Sequence, residues 1–185
     1  MNYVYHGSKT KGLKIIKKRV SSHQKEWVYA TLSKAVSVIF INNGGSDLNY
    51  FLGGKGTEES PIVLVERKAG MFEQIFNLSG SLYILDNKNF QTGQTGWSAE
   101  VVSDFEENVI HEEAIDNVLN KISELAKNNE LILYRFPDRP NYIPLDNSDL
   151  IPRIITQYKN GRNIDKFIEL YPELESKFHE QLEQN

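Results

Sequence analysis

Three short stretches of the chain hold residue types that could do chemistry: YVYHGS at 3–8, GGKGT at 53–57 and WSAEVV at 97–102. In the first, an imidazole stands in an apolar, strand-like run directly before a glycine and a serine. A histidine so placed is ordinarily a satisfied core or turn residue, so a functional role needs partners elsewhere in the chain. The second invites a phosphate-loop reading, which requires a lysine followed by Ser or Thr at a helix start, where backbone amides and a hydroxyl converge on phosphate. Here Gly56 follows Lys55 and no strand precedes, so the segment reads as a hairpin tip. In the third, strand alternation puts Ser98, Glu100 and Val102 on one face. A partly desolvated carboxylate beside a hydroxyl suits hydrogen bonding or general-base work; an edge-strand glutamate facing water does not.

The chain contains no cysteine, which removes disulfides, thiolate metal sites and a cysteine nucleophile. Its histidines, His6, His23, His111 and His179, show no paired ligand spacing, so no metal site is expected. The dinucleotide glycine fingerprint is also absent, so a nicotinamide cofactor would not be held in the Rossmann manner. With 185 residues the chain fits one domain, long enough to bury a core without staples. Lys plus Arg number 21 against 25 Asp plus Glu, a net charge of −4, which gives no general attraction for nucleic acid or anionic lipid. A local exception is Lys9–Arg19, with six basic residues and no acidic one, expected as a solvated edge strand or turn. No apolar run reaches the roughly 18 residues of a membrane span, and the first residues lack a signal-peptide pattern. A soluble, cytoplasmic protein without a membrane partner is therefore expected.

The elements that must position these residues follow from periodicity. Tyr3–His6, Leu13–Ile16, Trp27–Thr31, Pro61–Glu66, Ser81–Leu85, Glu100–Val102 and Leu131–Tyr134 are strand-like, with β-branched and aromatic content. Thr31 or Ser33 can cap a helix that carries Ala35, Val36, Ile39 and Phe40 on roughly one face. Residues 42–60, rich in Gly, Asn and Ser, read as one or two loops, and Phe72–Phe76 as a short turn. Ile115, Val118, Leu119, Ile122, Leu125 and Ala126 predict an amphipathic helix over Glu112–Asn128. After a proline-punctuated stretch, the last residues are helical, with Pro172 breaking or kinking the pattern. Strands early and helices late give an α+β fold, not a parallel α/β one.

Taken in order, His6-Gly7-Ser8 after a strand, Val28-Tyr29-Ala30-Thr31 leading through Ser33-Lys34-Ala35 into a helix, and a late strand with a carboxylate resemble one enzyme family. It is the diphtheria-toxin and poly(ADP-ribose) polymerase branch of the ADP-ribosyltransferase superfamily, and the likeness covers roughly residues 3–105. The resemblance implies two mainly antiparallel sheets forming an NAD cleft; length and periodicity add a single domain over 1–185 with a helical C-terminal segment at 156–185. It implies that His6 bonds a ribose hydroxyl, that Gly7 offers its backbone to the nicotinamide carboxamide with Ser8 in support, and that Tyr29, beside Ala30, stacks on the ring. Phe40 would supply a second aromatic wall. The family's glutamate is expected directly before the tryptophan, but Gly96 stands there, and Glu100 is the nearest carboxylate.

Two functions follow from the resemblance. With Glu100 and His6 as catalytic residues, the protein would use NAD as a substrate, release nicotinamide and pass ADP-ribose to an unknown acceptor, protein or small molecule, with nucleic acid not expected. With the third motif lost, it would be a degenerate module that binds NAD or ADP-ribose. A third reading, from the residues alone, is an interaction protein whose helical stretch Ile164–Leu182 docks a partner helix.

Overall fold

A computed structural model describes residues 3–20 and 24–184, so His23 lies outside the described residues. The strands are β1 (Tyr3–Ser8), β2 (Ile15–Ile16), β3 (Arg19–Val20), β4 (Glu26–Thr31), β5 (Tyr50–Gly53), β6 (Val63–Glu66), β7 (Gly80–Asp86), β8 (Gln91–Thr92), β9 (Glu100–Ser103), β10 (Glu107–Ile115) and β11 (Ile132–Tyr134). The α-helices are α1 (Lys34–Ile39), α2 (Met71–Phe76), α3 (Val118–Lys127), α4 (Ile151–Lys159), α5 (Asp165–Leu170) and α6 (Glu175–Glu183).

Among the described residues the architecture is α+β. An eight-stranded antiparallel sheet runs β2-β10-β7-β1-β4-β9-β8, with β3 attached to β4. A smaller sheet runs β11-β6-β5, in which β11 is parallel to β6 and β5 antiparallel to it. The expectation of two mainly antiparallel sheets thus holds for the larger one, while the smaller is mixed.

The main core lies between one face of the large sheet, the smaller sheet and three helices. Val36 and Ile39 of α1, Phe72 and Phe76 of α2, and Ile122 and Leu125 of α3 meet Leu64 and Leu82 there. Burying such side chains stabilises by about 1.5–3 kcal/mol each, and this burial holds α1 against β1. Ser33 caps α1, its hydroxyl accepting from the amide of Val36.

Four local expectations are corrected. The predicted helix over Glu112–Asn128 begins only at Val118, after an Asn117 cap whose side chain accepts from the amide of Asn120. Glu112–Ile115 instead continue β10, where Ile115 is paired opposite Gly80 and is buried. An apolar residue at 115 suits either period, and the capping asparagine decides the boundary. Phe72–Phe76 form a helix rather than a turn, because both phenylalanines are buried and the Glu66 carboxylate accepts from the amide of Phe72. The 42–60 loop contains β5, whose backbone pairs with the apolar β6, and GGKGT forms its hairpin connection. The helical C-terminal region starts earlier than residue 156, since α4 begins at Ile151 with Pro152 in its first turn, where a missing amide hydrogen costs nothing. Pro172 separates α5 from α6, as expected.

The C-terminal helices have a core of their own, built from Ile151, Ile154, Phe167, Tyr171 and Phe178. Buried polar groups fasten it to the small sheet. Arg67, next to the end of β6, donates from two nitrogens to the two Asp149 carboxylate oxygens at 3.0 and 2.8 Å, and also donates to Asn147. The Tyr171 hydroxyl donates to the carbonyl of Leu48, and Lys68 donates to that of Leu170. Removing one partner leaves a buried cation uncompensated. Asp149→Ala is therefore expected to cost about 3 kcal/mol of stability, read as a lowered urea midpoint; an unchanged midpoint would show that the pair fastens nothing.

Candidate functional site

The large sheet parts in its middle. β1 and β4 are joined, among the described residues, by the single pair Tyr5↔Thr31, while β1 pairs with β7 along its whole length. A ladder continued from Tyr5↔Thr31 would bring Gly7 opposite Tyr29. Instead, the carbonyl of Tyr29 accepts from Nδ1 of His6 at 2.7 Å. A side chain has taken an acceptor that a neighbouring strand would otherwise meet, and the strands separate around it.

The hinge of this parting is a hydroxyl cluster. Ser37 of α1 donates to the carbonyl of Tyr5 at 2.7 Å and lies 2.8 Å from the Thr31 hydroxyl, which donates to the carbonyl of Ser33. Strands and helix are thus pinned at one point by buried hydrogen bonds, each costly to leave unmade.

The resulting cleft has a volume of about 180 Å³ and is lined by His6, Gly7, Tyr29, Ala30, Phe40 and Glu100, with Tyr5, Thr31, Ser37 and Arg19. A cavity of about 150 Å³ with apolar walls takes up one benzene, so this space suits a single aromatic ring. Six of the seven residues singled out by sequence therefore share one cleft. Ser8 does not line it, and its hydroxyl accepts from the amide of Thr10 at 3.1 Å.

Each wall has a local cause. His6 is 8 % exposed. A carbonyl can only accept, so Nδ1 carries the proton and Nε2 remains an acceptor. Burial holds the imidazole below its ordinary value near 6.5, the bond to Tyr29 opposing this and the Arg19 charge adding to it. Tyr29 is buried, its hydroxyl donating to the carbonyl of Lys25 and its ring edge-on to Trp27. Phe40, just past the end of α1, is 41 % exposed and meets Trp97 edge-on. Trp97 in turn donates from Nε1 to the carbonyl of Gly54, tying the β5–β6 connection to the rim. Glu100 opens β9 opposite Thr31, which sets it on the same face as Tyr29 and Val102. Ser98 precedes the strand, so the predicted hydroxyl neighbour is replaced by that of Thr31.

Two glycines explain themselves. A Cβ at Gly7 would come 1.9 Å from the carbonyl oxygen of Ser37, so its missing side chain makes room for α1. Gly96 has φ of +80°, a left-handed conformation that a glutamate adopts only with strain. The backbone before Trp97 thus disfavours the carboxylate expected there. Sequence reasoning missed Arg19 and Thr31, whose signals were a basic run and an ordinary strand residue.

Gly7→Ala is expected to destabilise by about 1–3 kcal/mol through overpacking, seen as a lower melting temperature; an unchanged one would mean that α1 is not seated on β1. For His6 the sign is also fixed. The unfolded imidazole takes up a proton near 6.5 and the folded one only at lower pH, so stability is full above about 6.5 and falls as pH drops below it. His6→Asn should remove that part of the acid loss in urea titrations at pH 8 and pH 5; an identical loss in both proteins would contradict the assignment.

No family model matches this chain, and neither the curated proteins nor the solved structures compared with it gave a match.

Proposed function

We propose that the protein binds NAD with the nicotinamide ring in the cleft between β1 and β4, and transfers ADP-ribose to an acceptor with release of nicotinamide. The observation that supports this most is the coincidence, in one ring-sized space, of a neutral imidazole acceptor, two aromatic walls and a carboxylate: His6, Tyr29, Phe40 and Glu100.

The chemistry asks for these groups. When the bond between nicotinamide and ribose C1′ breaks, its electron pair leaves with the ring nitrogen and positive charge develops on the ribose. Tyr29 and Phe40 hold the leaving ring by stacking, which is worth about 1–3 kcal/mol for a base on an aromatic side chain. Nε2 of His6 accepts from a ribose hydroxyl and fixes the sugar. The Glu100 carboxylate faces the developing charge and takes the proton that the acceptor nucleophile loses as its new bond to C1′ forms.

A second reading is favoured by Gly96, whose conformation disfavours a glutamate before Trp97. In it, the ring clamp remains and the protein binds NAD or ADP-ribose without turnover.

The two readings separate in one experiment. Nicotinamide release from NAD should fall about 10²-fold to 10³-fold in Glu100→Gln, with NAD affinity nearly unchanged, while Tyr29→Ala should weaken binding about tenfold or more. NAD binding without nicotinamide release, unaltered in Glu100→Gln, would establish the binding module. Absence of any NAD binding in calorimetry would overturn both.

A further inference from the structure

We propose that Arg19, with Lys17 beside it, is an anion-holding element that takes the diphosphate of the dinucleotide; this rests on the NAD reading of the cleft. Arg19 is the cation that lines the cleft among the described residues. It also lines an adjoining groove of about 250 Å³, and the two spaces share His6 and Arg19. That groove has an apolar floor of Leu13, Ile15 and Ile16, with Lys17 and Ser8 at its sides and no acidic residue. The other space that adjoins the cleft, through Tyr5, offers Lys34 and Lys55 but also Glu58 and Glu130, and so no net charge.

A dinucleotide whose ring fills a cavity of about 180 Å³ must carry its diphosphate out of it. The route over Arg19 leads from a cleft holding one cation and one carboxylate into a groove holding cations alone. Arg19 is anchored by its backbone, paired opposite Trp27, while its side chain is exposed and in no ion pair with a described carboxylate. A planar guanidinium presents parallel donors that match two phosphate oxygens, and charge-assisted bonds of this type are roughly twice as strong as neutral ones. Six cations fall in Lys9–Arg19, against the Glu112 carboxylate that accepts from the amide of Gly12 and Glu107 opposite Ile16, so this edge keeps a net positive charge that also draws an anion.

Calorimetry with four ligands tests the assignment: NAD, ADP-ribose, ADP and nicotinamide, against the wild type, Arg19→Ala and Lys17→Ala. Arg19→Ala should weaken NAD, ADP-ribose and ADP by about tenfold to a hundredfold and leave nicotinamide within about twofold. Lys17→Ala should act in the same direction and less. Because both side chains are exposed, melting temperatures should not move. Equal weakening of NAD and nicotinamide, or unchanged NAD affinity in Arg19→Ala, would overturn the proposal. Binding of ADP that needs Arg19, in a protein that binds no nicotinamide, would uphold the anion site and overturn the NAD reading. A wild type that binds neither ADP nor NAD would overturn both.

Discussion

The hydrogen bond from Nδ1 of His6 to the carbonyl of Tyr29 is the interaction on which the site depends. Backbone carbonyls inside a sheet must be paired, and a strand that leaves its neighbour ordinarily exposes them at a cost of about 1–3 kcal/mol each. The imidazole meets that demand from the side. It lets β1 and β4 part after one residue pair, keeps the sheet continuous elsewhere, and leaves an aromatic-walled space where a ladder would have run. The same bond assigns the histidine proton to Nδ1, and burial keeps the ring neutral. Structure and candidate chemistry therefore draw on a single group.

The surroundings serve to hold that arrangement still. β1 is fixed on its other edge by six pairs with β7, and α1 is seated against it because Gly7 has no side chain. A carboxylate also organises the chain that leaves β1: Glu112 accepts from the amide of Gly12 and from Ser81, and the single proton of the Tyr83 hydroxyl lies between the Thr10 carbonyl and this carboxylate. These bonds hold its carboxyl below the ordinary range, the Gly12 amide contributing most. On the far side, the Arg67–Asp149 pair fastens the C-terminal helices to the small sheet, whose hairpin touches the rim through Trp97. The path from helices to cleft runs through β6, β5 and Gly54.

Much of this was legible in the residues. Strand periodicity located β1, β4, β6, β7 and β9, and Ser33 marked the start of α1, because side chains alternate on strands and hydroxyls cap helices. Where the structure departs from the residues' pattern, the pattern is locally ambiguous: short apolar runs fit both periods, and glycine-rich surroundings mask a short strand. Ile115 fits the helical period of the residues after it although it ends a strand, and Tyr50-Phe51 stand in a glycine-rich stretch although pairing with β6 makes them a strand. In the site, residue types could be chosen but not their directions. Nothing in YVYHGS shows that Ser8 turns to Thr10, or that the room Gly7 leaves is filled by Ser37. The second depends on a helix 30 residues away in the chain.

The central claim is that the parting of β1 from β4 is a binding cleft for a nicotinamide ring. Backbone amide shifts of the isotope-labelled protein, followed as nicotinamide is added, test it most directly. Shifts should be confined to Tyr5–Ser8, Tyr29–Thr31 and Ser37–Phe40, with saturation at one common affinity. Shifts centred elsewhere, or none at saturating nicotinamide, would contradict it.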